Sequence, residues 1–96
     1  MPDPTPSAVA EVATAHAARY LAQLCKHFAH KVPAEFADGR GRIAFPIGTC
    51  ELTAGPERLT LSVAAADADQ LARLQEVVAR HLERFAFREP LAIAWR

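Results

Sequence analysis

The segment Arg19-Tyr-Leu-Ala-Gln-Leu-Cys-Lys-His-Phe-Ala-His-Lys31 carries three permanent cations and two histidines, with no carboxylate among its thirteen residues. Groups of this kind donate to anions, exchange protons near neutral pH or ligate metals. Farther along the chain His81, Arg84 and Arg88 recur at i, i+3 and i+7, the spacing of one helical row. If the two helices pack as neighbours, the rows flank one groove. The candidate ligand-binding set is therefore Arg19, Lys26, His27, His30, Lys31, His81, Arg84 and Arg88, facing a small anionic molecule or an acidic protein surface.

Helical geometry narrows the chemistry. Cys25 and His27 lie about 200° apart around a helix and His27 and His30 about 60° apart, so Cys-Lys-His is no chelate but the two histidines are neighbours. They supply two ligands where a closed zinc site takes four and a catalytic one usually three. His81, Glu83 or Glu89 would have to complete the set, and Lys26 and Lys31 would repel the ion. No metal ligands and no cofactor are assigned on this basis. His16 shares the azimuth of His27 but lies about 16 Å away along the axis, too far to share a ligand.

Nucleophilic catalysis has little footing. There is no Gly-x-Ser-x-Gly elbow, phosphate loop, dinucleotide fingerprint or His-Glu-x-x-His. Ser7 falls in a proline-rich start, Ser62 in a strand, and Cys25 and Cys50 on apolar faces as reduced core residues. The leading expectation is a non-catalytic binding module. A metal-dependent or acid–base enzyme using His27, His30 and His81, and a purely structural or dimerisation domain, are the alternatives.

The elements that must position these groups follow from pattern. With 96 residues the chain suits one domain, burying roughly 60 to 65% of its unfolded surface. Eleven Lys and Arg balance eleven Asp and Glu, so no global basic field marks a nucleic-acid binder or a membrane-surface protein. The start lacks the regions of a signal peptide, which makes a cytoplasmic location the default expectation. Residues 1–7, with three prolines, read as a disordered tail ahead of a single domain over 8–96.

Within that domain Ala8 to Ala13 alternates as a short strand, and Thr14 stands where a helix N-cap would be. Apolar residues at helical spacing predict a helix from Ala15 to Val32, stopped by Pro33. A glycine-bearing turn at 38–41 precedes a strand at 42–45. Its inward phase switches across Pro46-Ile-Gly48 to Cys50 and Leu52, and a further strand runs from Arg58 to Ala64. Asp67 with Gln70 opens a second helix through Phe85, and Leu91 to Trp95 alternates as a closing strand. The order β-α-β-β-β-α-β predicts a two-layer α+β sandwich: a mostly antiparallel sheet of four or five strands with both helices on one face. The other sheet face, half apolar, is a candidate homodimer surface.

At Leu24-Cys-Lys-His-Phe-Ala-His-Lys31, and again at His81-Leu-Glu-Arg-Phe-Ala-Phe-Arg-Glu89 with Leu91 and Trp95 following, the chain resembles the bacterial family catalogued as domain of unknown function 2218. The likeness runs from about Val9 to Trp95. It implies a small accessory domain, sometimes attached to siderophore-interacting flavin reductases, and with it a role in iron-siderophore use. No catalytic residues are known for the family to carry over.

Overall fold

The computed structural model describes residues 5–96. The first four residues of the expected tail lie outside the described residues. The seven elements are β1 (Ser7–Ala13), α1 (Ala17–Phe28), β2 (Ala34–Ala37), β3 (Arg40–Phe45), β4 (Gly48–Ala54), β5 (Arg58–Ala65) and α2 (Ala68–Phe85). The strands form one antiparallel sheet in the order β1-β5-β4-β3-β2.

Local chemistry sets the hairpins. Asp38 and Gly39 both take positive φ, 53° and 77°, the two-residue turn whose twist matches a right-handed hairpin, and they join β2 to β3. Pro46 and Ile47 join β3 to β4, where the inward phase changes as the sequence indicates. A Cβ on Gly48 would stand 2.2 Å from the Ala64 carbonyl oxygen, so only glycine permits that approach.

Alternation then sorts the sheet into two faces. Ala8, Ala10, Val12, Leu59, Leu61, Val63, Cys50, Leu52 and Ile43 are buried beneath the helices. Onto them α1 places Leu21, Leu24, Cys25 and Phe28, and α2 places Leu74, Val78 and Leu82. Each buried aliphatic side chain of this size contributes about 1.5–3 kcal/mol of transfer free energy. Both cysteines are free and buried. The helix approaches closely at Gly41, where a Cβ would meet Cys25 Sγ at 2.7 Å and Leu21 Cδ2 at 3.2 Å.

The α+β architecture with both helices over one antiparallel sheet is as expected, and the boundaries refine it. The fifth strand is β2, whose sequence Ala34-Glu-Phe-Ala37 carries no strand pattern, whereas Leu91–Trp95 forms no strand. That segment runs along β1 and, among the described residues, bridges only at Ala10 and Trp95, with Val9 and Arg96 exchanging two backbone hydrogen bonds of 3.0 Å. Its alternation is real, since Leu91, Ile93 and Trp95 pack against the core, but an extended strap buries alternate side chains without a ladder. The element order is accordingly β-α-β-β-β-β-α. The sheet also begins earlier than the tail reading placed it, with Ser7 in β1 and the Pro6 carbonyl accepting from Ala65 N–H.

Helix α1 is shorter than its apolar spacing indicates. It starts at Ala17, with Thr14, two residues before the His16 N-cap, accepting from His16 N–H through Oγ1 at 3.0 Å, and it ends at Phe28. His30 and Lys31 therefore lie in the turn beyond it, not on its face. In α2 the Asp67 cap is as expected, Asp67 Oδ1 accepting from Gln70 N–H at 2.8 Å. Arg88 lies past its last residue, so the row His81, Arg84, Arg88 leaves the helix at its third member.

Candidate functional site

Contacts between the helices pair late positions of α1 with earlier positions of α2. The His27 ring meets the rings of His81 and Phe85, while Arg19, Tyr20 and Gln23 meet the segment Phe85–Arg88. The two chain directions thus oppose, and a seam runs from His27 and His81 past Phe85 to Arg19 and Arg88.

At one end the His27 and His81 ring centroids are 5.0 Å apart and tilted by 44°. Phe28 stands edge-on to His27 at 5.0 Å and lies 4.8 Å from His81, while Phe85 closes the other side of His27 at 5.5 Å. His81 Nδ1 lies 2.7 Å from the Val77 carbonyl oxygen. A carbonyl only accepts, so Nδ1 carries the proton and Nε2 is the free position of the neutral ring. The His27 pKa is held below its ordinary 6.5, first by partial loss of solvent against these rings, then by the charges of His81, Lys31, His30 and Arg84. His27 is therefore a neutral imidazole at pH 7 in a cationic field.

At the other end a cleft of about 200 Å³ is lined by Arg19, Tyr20, Gln23, Phe85, Phe87 and Arg88. Arg19 is presented by α1, and Arg88 by the turn after α2, its guanidinium 5.4 Å from the Phe87 ring centroid. The carboxylate nearest in sequence, Glu89, is already engaged. Its Oε2 accepts from Tyr20 Oη at 2.7 Å and from Thr14 Oγ1 at 3.1 Å. Tyr20 donation, followed by Thr14 donation and the charge of His16, holds Glu89 below the usual carboxylate value despite some desolvation. The same hydrogen bond, with burial, raises the Tyr20 phenol. Among the described residues, Arg19, Arg84 and Arg88 have no carboxylate within 4.0 Å; the ion pairs there are Arg58 and Arg96 to Glu11, and Arg80 to Glu76.

The structure brings together only part of the expected set. His27, His81, Arg19 and Arg88 line the seam, and Lys31, His30 and Arg84 reach His27 through their charge. Lys26 turns instead toward the sheet edge, its Nζ 6.0 Å from the Phe36 ring centroid. No three of His, Cys, Asp and Glu among the described residues form a group able to hold a metal ion. Sequence reasoning missed Gln23, Phe85 and Phe87 as cleft walls and Thr14 and Glu89 as its brace. The polar Gln23 one helical turn from both Arg19 and His27 was the available signal.

Fold and site together define a small two-layer α+β domain with a cationic seam between its helices. The chain belongs to the bacterial family described as an uncharacterised protein conserved in bacteria, DUF2218, whose model matches residues 9–96. It is similar to PA4090 from Pseudomonas aeruginosa, a structure solved by NMR, at 43% identity over 94% of each chain and a TM-score of 0.80. No curated protein matches it. No helix among the described residues is long and apolar enough to cross a membrane.

Proposed function

We propose that the domain is a non-catalytic binding module whose interhelical seam takes a small anionic ligand, of the polycarboxylate or phosphate class. The observation that carries this reading is the convergence of Arg19 and Arg88, from two different elements, on one cleft while the adjacent Glu89 is engaged by Tyr20 and Thr14. Guanidinium groups without an internal partner offer paired donors to a carboxylate or phosphate at no cost of breaking an ion pair. Gln23 adds amide donors, and Phe85 and Phe87 give the ligand an apolar wall. The histidine end supplies inducible charge, since a bound anion favours the protonated form of His27.

An acidic protein surface is the second occupant this field would attract. The iron-siderophore connection implied by the family resemblance adds siderophores to the ligands worth testing. Titration with inorganic phosphate, citrate and gallium-loaded siderophores, the last as diamagnetic stand-ins for the ferric forms, should produce saturable NMR shifts of the Gln23 amide and the His27 and His81 rings. Silence of all three side chains toward every probe would sink the reading.

A further inference from the structure

Strand β2 closes one edge of the sheet, and among the described residues its outer side is unpaired. The Ala44 N–H donates to the Pro33 carbonyl, so residues 33, 35 and 37 turn their backbone groups toward β3, and Ala34 and Phe36 turn theirs outward. Phe36 is also one of two large apolar side chains left exposed among the described residues, at 41%. An outward donor and acceptor on the same residue as an uncovered aromatic ring is an edge suited to strand addition.

We infer that this edge pairs with a second copy of the chain, antiparallel about a twofold axis, with Phe36 opposite the partner's Phe36. Sheet parity restricts a symmetric antiparallel pairing to a residue opposite itself. Centring on Glu35 sets two carboxylates directly across from each other, which is destabilising. Centring on Phe36 makes a hydrogen-bonded pair from its two outward groups, stacks two aromatic rings that are otherwise wet, and places Glu35 opposite the partner's Ala37. Because Ala37 pairs with Arg40 inside each chain, Glu35 then reaches over a methyl group toward the partner's Arg40, with its own Arg42 on the other side. The concavity there, about 300 Å³, is lined by Glu35, Phe36, Ala37, Arg40, Gly41 and Arg42, which leaves room for the crossing side chains. The partner is a second copy because both halves of the charge match, Glu35 and Arg40, reside on this one hairpin.

Four residues of edge bury less than a standard interface, so association is weak and shows at high concentration. Light scattering on the full chain from about 10 μM to 1 mM should show the mass rising from 10.4 kDa toward twice that value. Arg40→Glu alone and Glu35→Arg alone should each weaken dimerisation at least about tenfold, while an equimolar mixture of the two variants should recover it, since every cross-chain pair is again opposite in sign. The Phe36 amide should gain protection from hydrogen exchange in step with the mass. A monomer throughout the range would overturn the inference. So would a dimer that ignores both single variants, since it would use another surface, such as the open sheet face. Recovery in the mixture also shows that neither variant lost dimerisation through misfolding.

Discussion

The ring of His27 lies 5.0 Å from that of His81, centroid to centroid, with Phe28 in contact with both. Loss of solvent against these rings disfavours a charged His27 most, two imidazoles at this separation cannot both be charged cheaply, and Lys31, His30 and Arg84 add to the repulsion. His27 should therefore titrate below 6.5 by NMR, and replacing His81 with Ala should move its midpoint upward. An unchanged midpoint in His81→Ala would show that the His81 charge is not among the causes, leaving solvent loss and the charges of Lys31, His30 and Arg84.

Anion binding at the seam should strengthen as pH falls. A group whose pKa is depressed in the free protein and raised by a bound anion takes up a proton on binding, so the affinity for sulfate, an anion that does not itself titrate near neutral pH, should rise as pH falls through 6.5. Calorimetry in two buffers of different ionisation enthalpy would count the proton, and His27→Gln should abolish its uptake.

The fold itself should respond to acid in two separate windows. His27, with its folded pKa below 6.5, disfavours the native state as pH falls from 6.5 through that lower value. Glu89, held below 4.5, contributes stability that is present above 4.5 and lost as pH falls through its folded value. Urea melts should show both declines, with Glu89→Gln and Tyr20→Phe each flattening the more acidic one.

Gly41→Ala should destabilise by roughly 1–3 kcal/mol, the usual cost of forcing a methyl into a packed layer. The clash is with Cys25 Sγ at 2.7 Å. In a Cys25→Ala background the same substitution should cost less, and denaturant melts of the four proteins give the coupling directly.

Much of the fold was legible because burial imposes a period. The stripes Leu21, Leu24, Cys25, Phe28 and Leu74, Val78, Leu82, the inward row Leu59, Leu61, Val63, and the Asp67 cap all follow from 3.6- or 2-residue spacing and local hydrogen bonding. What failed depended on pairing rather than pattern. Ala34-Glu-Phe-Ala37 has no β-branched residue and becomes a strand only because the Asp38–Gly39 turn folds it onto β3. Leu91–Trp95 alternates like a strand, yet it meets β1 at a single bridge. For the site, residue type pointed to Arg19, His27, His81 and Arg88, which the structure places along one seam, with Arg88 in the turn beyond α2. Lys26 turns away to Phe36, and the reason is the position of the sheet edge, which helical periodicity does not encode.

The anion seam is tested most directly by comparing citrate binding to the native chain and to Arg19→Gln/Arg88→Gln by NMR titration at pH 6. Both side chains are exposed, so the double variant should keep the native spectrum away from the cleft. A loss of at least about tenfold in affinity, the size expected for removing two charge-assisted contacts, is the predicted result. Equal affinity in the two proteins would contradict the assignment of the ligand to this cleft.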